Sequence, residues 1–381
     1  MEDAPNVYRR LQQHLDRMPV GFPATASGVE LRLLRRLFTP EEAEAALLLN
    51  LLPERLGRIH RRDRGSGRSR EDLERILDRL AEKGALLGGK AFARRDGTKR
   101  YSKAPLAIGI YELQVDRLTK ELEADMAQYT KEAFGRALLT GGTNQLRTVP
   151  VNARFVPERR VGRYDDARTI LQESRGPFAV MNCVCRQGKD LLGERCRQTD
   201  VRRTCLALRS VARSAVAFGI GVEVTRLDAL ALVEQAEREA MVLQPANTRD
   251  PLFMCFCCGC CCGMLRAAKQ FPRPAEYLQS NYYAVVAADL CSDCQTCRSR
   301  CPMEALGCGT DGVTVVDRDR CIGCGLCVTT CPTGAIRLAA KAKPRVPPRD
   351  RSALYLKILR ERFGLFGSAG MIGKALVGRR V

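Results

Sequence analysis

A twelve-residue pattern occurs twice in this chain: residues 291–302 read CSDCQTCRSRCP and residues 321–332 read CIGCGLCVTTCP. Both spell C-x2-C-x2-C-x3-C-P. Three soft thiolates at two-residue gaps wrap a tight loop around three irons of a cubane, and the fourth ligand must arrive from elsewhere. The cysteine before the proline lies too far along the chain to close its own site, so in this motif it ligates the partner cluster. Proline then turns the chain away, having a fixed φ and no amide proton to satisfy. The spacing therefore assigns Cys291, Cys294, Cys297 and Cys331 to one 4Fe-4S cluster, and Cys321, Cys324, Cys327 and Cys301 to the other. A pair of zinc sites is the alternative, because C-x2-C pairs also build four-thiolate zinc ribbons.

The residues after each proline also match, Ala305 with Ala335 and Leu306 with Ile336, so two halves packing face to face are expected to bury them between the clusters. Cys308 falls outside the pattern and reads as a spare thiol on the joining segment. Residues 285–340 resemble the two-cluster bacterial ferredoxins, down to CIGCGLCVTTCPTGAI at residues 321–336. The resemblance implies two 4Fe-4S centres carrying one electron each in a small βαββαβ-like unit. Arg298 and Arg300 lie inside the first motif, where the second has the uncharged Val328 and Thr330. Positive charge favours the more negative reduced state, so the Cys291 cluster is expected to reduce first.

At 381 residues the chain has room for two or three domains with cores of their own. Hydrophobic residues make up 45% and charged residues 28%, an ordinary globular balance. The start shows no apolar export core, and no apolar run is long enough to span a bilayer, so a cytoplasmic location is expected. In that compartment thiols stay reduced, and nineteen cysteines argue for metal ligation over disulfides. Only two histidines, His14 and His60, are present, too few for a histidine-rich metal site. A formal charge of +20 suits an acidic redox protein, a nucleic acid or an anionic membrane surface. Bound clusters, at about two negative charges each, reduce that excess without cancelling it.

In the front third, Thr39-Pro40-Glu41-Glu42 carries an N-cap, a first-turn proline and a capping-box glutamate, so a helix is expected from there to Leu52. A second helix opens at Ser69 and sets Leu73, Ile76, Leu77 and Leu80 on one face, with Gly84 ending it. Residues 92–102 then turn about Asp96-Gly97, a tight-hairpin dipeptide. Helices followed by a two-stranded wing read as a winged helix over residues 28–108, with a connecting helix from Ile110 to Leu139. Winged helices often bind DNA, which makes a redox-sensing DNA-binding regulator the rival function. The helix over residues 69–83 carries five acidic and four basic residues, a poor match to phosphates. The wing is basic through Arg94, Arg95, Lys99, Arg100 and Lys103, and a solvated basic surface or a partner-docking module is preferred to specific DNA binding.

The middle opens with a strand, Phe178-Ala179-Val180-Met181, leading into Cys183 and Cys185, with Cys196 and Cys205 beyond. These four suffice for one cluster or one zinc ion. Thr225 and Asp228 then frame a helix, and the block MCFCCGCCCGM follows with Cys255, Cys257, Cys258, Cys260, Cys261 and Cys262. Adjacent side chains point apart in extended backbone, so Cys257 and Cys258 are not expected to reach the same metal. The arrangement resembles the CxCR and cysteine-block region that accompanies ferredoxin modules in some iron-sulfur proteins of anaerobic electron-transfer systems. One or two further iron-sulfur clusters are expected here, with zinc as the alternative.

Residues 341–351, KAKPRVPPRDR, read as a basic linker. The tail after them alternates apolar and basic residues, a pattern suited to a membrane surface, a partner, or the protein's own surface. The expected architecture is α+β: an extension (1–27), a winged helix (28–108), a connecting helix (109–150), a cysteine-rich α/β region (151–280), a ferredoxin-like domain (281–340) and a tail (341–381). No acid/base pair, nucleotide loop or nucleophile triad is present, so an electron carrier or electron-transfer subunit of an oxidoreductase is expected rather than an independent catalyst.

Overall fold

The computed structural model describes residues 6–90, 93, 96–152, 163–309 and 311–381. It is a mixed helix and sheet protein whose chain divides into two compact units, residues 1–143 with 355–381 and residues 144–354. The structure thus groups the extension, the front helices and the end of the tail together, rather than as separate pieces.

In the first unit, α1 (Val7–Asp16), α2 (Val29–Leu37), α3 (Pro40–Ala46), α4 (Leu56–His60) and α5 (Arg70–Glu82) precede a short antiparallel ladder. Its strands are β1 (Leu87–Gly88) and β2 (Tyr101–Ser102), paired Leu87 to Ser102 and Gly88 to Tyr101. The capping box of α3 is formed: Glu42 N–H donates to Thr39 Oγ1 (3.3 Å), and Thr39 N–H donates to Glu42 Oε2 (2.9 Å). That helix stops at Ala46 rather than Leu52. Leu47, Leu48 and Leu49 are all buried, and one helix face cannot bury three consecutive side chains. Helix α5 follows its sequence pattern, with Ser69 accepting from Asp72 N–H and Leu73, Ile76, Leu77 and Leu80 buried. Phe92, Arg94 and Arg95 of the expected wing lie outside the described residues. Lys99 is held by Glu74 (2.9 Å) and Asp78 (2.5 Å) of α5, and Arg79 by Glu41 and Glu42 of α3. Those basic groups therefore meet carboxylates of their own unit.

The expected helix from Ile110 begins only at Lys120, where Thr119 caps α6 (Lys120–Tyr129); a π-helical turn then leads into α7 (Gly135–Leu139). The C-terminal helix Arg351–Leu376 breaks at Gly364, whose φ of 70° interrupts the helical path. Its later part packs back on the first unit. Arg362 donates to Asp16 (2.9 Å) and to the Met18 carbonyl (2.7 Å), and the buried Val381 donates its N–H to Asn50 (3.2 Å). Leu365 and Phe366 stay exposed. Among the described residues no helix is long and apolar enough to cross a membrane.

The second unit is built on a five-stranded sheet in the order β5-β3-β4-β7-β6. Its elements run α8 (Ala167–Glu173), β3 (Phe178–Asn182), α9 (Val184–Leu191), β4 (Arg203–Leu208), α10 (Arg209–Ala217), β5 (Gly221–Val224), α11 (Arg226–Arg238), β6 (Val242–Pro245), β7 (Phe253–Cys257) and α12 (Gly263–Ala268). Every neighbouring pair is antiparallel. The central region is therefore α+β in organisation, a correction to the α/β expectation. Alternation along the strands buries Leu206, Met254 and Phe256 on one face. The other face carries Cys205, Cys255 and Cys257, with Cys205 directly opposite Cys255.

After the sheet come β8 (Tyr282–Val286), β9 (Leu306–Cys308), β10 (Thr314–Val316) and β11 (Ile336–Ala340). They pair as two antiparallel ladders, β8 with β11 and β9 with β10. A short helix, Thr296–Ser299, lies between β8 and β9.

Candidate metal centres

The two cysteine motifs occupy equivalent loops, one after β8 and one after β10, and the duplication reaches down to the backbone. In the second loop Gly323, Gly325 and Gly334 have φ of 61°, 78° and 69°. The matching residues of the first loop, Asp293, Gln295 and Glu304, hold φ of 46°, 60° and 55°. A left-handed conformation disfavours any residue with a Cβ, so the first loop carries strain that the second avoids. Gly323 has a further reason to be glycine: a Cβ there would sit 2.2 Å from the Tyr282 carbonyl oxygen. Gly323→Ala is accordingly expected to destabilise the unit by about 2 kcal/mol or more, and Gln295→Gly to stabilise it by up to about 1 kcal/mol, both read by chemical denaturation.

Cys301, Cys321, Cys324 and Cys327 line one cavity. Its other walls include Ala284, Met303, Ile322 and Leu326. The cavity brings the last cysteine of the first motif to three cysteines of the second. Two backbone amides point at its sulfurs, Ala284 N–H to Cys321 Sγ (3.3 Å) and Ala305 N–H to Cys301 Sγ (3.2 Å). Burial, and then the Cys301 and Cys321 thiolates, push the Cys324 thiol up from its ordinary range; burial does the same to Cys327. Four thiolates so placed need a cation among them to share their charge. The donor set and the apolar wall fit a 4Fe-4S cluster.

The other loop is wetter. Cys294 is exposed and Cys291 partly so, whereas Cys297 is buried with its sulfur 3.7 Å from Thr314 Oγ1. A hydrogen bond from the Thr314 backbone holds the Cys291 thiol below its ordinary range, and one from Thr296 does so for Cys294. Cys331 is partly buried, its sulfur 3.7 Å from Thr333 Oγ1. Ala305, Ala335 and Ile336 are buried, while Leu306 is only half-buried. Cys308 is exposed on β9.

The two arginines do not act as their sequence positions suggest. Arg298 is paired with Asp293 of its own loop (2.8 Å). Arg300 crosses to the other half, donating to Leu326 O (3.2 Å), Thr329 Oγ1 (3.3 Å) and, on α11, Arg238 O (3.1 Å). Burial lowers its pKa, and Glu237 with the Cys324 and Cys327 thiolates oppose that. Its charge therefore falls on the Cys321 loop, which undoes the charge argument for the Cys291 cluster reducing first. Arg300→Ala is expected to lower the midpoint potential assigned to the Cys321 loop and leave the other unmoved in a redox titration followed by electron paramagnetic resonance.

A 4Fe-4S binding domain family matches residues 314–337. That stretch contains Cys321, Cys324, Cys327 and Cys331, so the chain holds at least one 4Fe-4S cluster. No curated protein and no solved structure matches the chain.

The ten central cysteines sort into two groups. Cys196, from the irregular segment between α9 and β4, meets Cys258, Cys260 and Cys261, and their four sulfurs all lie within 4.8 Å of one another. The second group gathers on the thiol-bearing face of the sheet. Cys183 caps α9, Cys262 caps α12, and Cys262 Sγ lies 3.8 Å from Gln244 Oε1 on β6. Hydrogen bonds from Cys205 and Cys257 hold the Cys255 thiol well below its ordinary range, and one from Cys185 lowers Cys183 to about 7. Gln244 Nε2 is buried with no hydrogen-bond partner.

Between the groups lies Arg186, only 1% exposed. It bonds to Thr204 Oγ1, Met241 Sδ and the Phe256 carbonyl, with no carboxylate among these partners. Burial works against its charge, yet the neighbouring cysteine sulfurs, Cys183 and Cys258 foremost, outweigh burial and hold its pKa above the ordinary value. Cysteine sulfur is thus what stands opposite its charge.

This sorting corrects the grouping by sequence proximity of Cys183, Cys185, Cys196 and Cys205. Cys196 belongs elsewhere, and Cys205 turns toward Cys255 because cross-strand register decides its neighbours. Cys257 and Cys258 fall into different groups, as adjacent residues at a strand end do. Arg186 and Gly259 carry weight that the cysteine pattern did not reveal. A Cβ on Gly259 would lie 2.5 Å from Pro302 O, so the cysteine block lies directly against the residue after Cys301.

Proposed function

We propose that this protein relays single electrons through two 4Fe-4S clusters held by residues 285–340, as a subunit or soluble partner of an oxidoreductase. The observation that carries the reading is the cavity ringed by Cys301, Cys321, Cys324 and Cys327, which joins cysteines from both motifs. Cys291, Cys294, Cys297 and Cys331 hold the other cluster. When bound, each cluster accepts and releases one electron at a time.

The chain's own residues set a direction. Cys294 stands at the surface, where a partner can approach, while Cys324 and Cys327 are buried. Amides of Ala284 and Ala305 steady the thiolates at the buried loop, and Arg300 adds positive charge beside it. From Cys301 the path continues inward, because Pro302 touches Gly259 in the cysteine block. The thiol face of Cys183, Cys185, Cys205, Cys255, Cys257 and Cys262, with the unpartnered Gln244 Nε2 and Arg186 beside it, suits a further anionic iron-sulfur group. Residues 28–108, read as a winged helix, serve as a docking module.

The net charge of +20 points to an acidic partner. Electron exchange between the anaerobically prepared protein and an acidic flavodoxin-type donor should slow steeply as salt rises from low to physiological ionic strength, measured by stopped flow. A salt-independent rate counts against the acidic partner; a chain that takes up no electrons counts against the relay itself.

A further inference from the structure

We infer that Cys196, Cys258, Cys260 and Cys261 hold one tetrahedral divalent ion of the zinc type, a site of different nuclearity from the cubanes of the ferredoxin-like half. The measured separations carry this. Cys196 lies 3.6 Å from Cys258 and 3.7 Å from Cys260, and Cys260 lies 3.6 Å from Cys261, sulfur to sulfur. A zinc-sulfur bond of about 2.3 Å at the tetrahedral angle sets ligand sulfurs about 3.8 Å apart. A cubane interposes four irons and four sulfides between its thiolates, so its ligands must stand farther apart.

The same structure supplies the contrast. Among the described residues, no other group of three or more cysteines, histidines or carboxylates draws its ligand atoms within 4.8 Å of one another. Cys301, Cys321, Cys324 and Cys327 share a cavity without closing to that degree. The wider-set sulfurs leave space for a cluster core between them, and the Cys196 group suits a single ion.

The local fold explains how four thiols converge. Three lie on one tight turn, closed by Cys262 N–H donating to Cys258 O (3.1 Å), and the fourth comes from a segment with no strand pairing of its own. Four protein ligands leave no open position, the mark of a structural rather than a catalytic ion. Such an ion pins the irregular segment around Cys196 to the turn, and Gly259 of that turn lies against Pro302. It would thus hold the cysteine block beside the Cys301 ligand. Because ligand thiols lose their protons on binding, ion binding and folding of this turn are one event.

The test uses the full chain purified without oxygen. Elemental analysis should give one zinc equivalent beyond the iron, and zinc-edge X-ray absorption should show four sulfur neighbours at bonding distance with no iron neighbour. Cys196→Ser and Cys261→Ser should each lose that equivalent while the reduced-state resonance of the ferredoxin-like half stays unchanged. Should either variant fail to fold, wild-type protein grown on cobalt decides: intense tetrahedral cobalt-thiolate bands support the site. Absence of both a lone zinc and those cobalt bands overturns the inference, as does loss of a cubane's complement of iron in Cys196→Ser. Failure here leaves the relay intact, since the relay is read from the ferredoxin-like half alone.

Discussion

Replacing Cys301 with serine will strip the cluster from the Cys321 loop and spare the one in its own. The reason is positional. Cys301 lines the cavity with Cys321, Cys324 and Cys327, and Ala305 N–H donates to its sulfur (3.2 Å) within that wall. Removing one of four thiolates leaves an incomplete donor set in a buried site where solvent cannot substitute well. About four irons per chain should be lost, the complement of one cubane. The resonance that survives in reduced Cys301→Ser should coincide with that of Cys324→Ala and differ from that of Cys294→Ala. If Cys301→Ser instead matches Cys294→Ala, each motif closes its own site and the crossover is wrong.

Arg186→Leu, on α9, should be the most damaging single change in the central region. The guanidinium is buried, bonded to Thr204, Met241 and Phe256, and faces cysteine sulfurs of both central groups, which as anions supply its counter-charge. Leucine fills part of the volume but leaves those anions without a counter-charge, and breaking a buried charge pair from one side costs about 3–5 kcal/mol. Arg186→Lys keeps the charge but cannot reproduce the planar fork, so an intermediate loss is expected. Denaturant titration of the metal-loaded full chain reads both. Wild-type stability and metal content in Arg186→Leu would show that the thiols are neutral and that the arginine is only packing.

Much of the ferredoxin-like half was legible in the sequence because ligand spacing is a local property. The register of the two motifs set Cys301 beside Cys321, Cys324 and Cys327, which line one cavity, and the glycines of the second loop mark the left-handed positions that Asp293, Gln295 and Glu304 occupy in the first. The capping box at Thr39 and the apolar stripe of α5 were readable for the same reason. What escaped depends on contacts between distant residues. Sequence proximity placed Cys196 with Cys183 and Cys185, but the path of an unpaired segment carries it to Cys258. Arg300 sits inside the first motif, yet its long side chain spends its charge on the second. Helix α3 stopped early because tertiary burial of three successive leucines overrides helical periodicity, and the end of the tail is tied to the first unit by the Val381 N–H to Asn50 hydrogen bond.

The most direct test is a reductive titration of the full chain, prepared without oxygen and followed by electron paramagnetic resonance with parallel iron and sulfide analysis. The ferredoxin-like half should contribute about eight irons and two one-electron signals, one abolished by Cys324→Ala and the other by Cys294→Ala. Colourless protein carrying zinc in both loops, silent on reduction, would contradict the account.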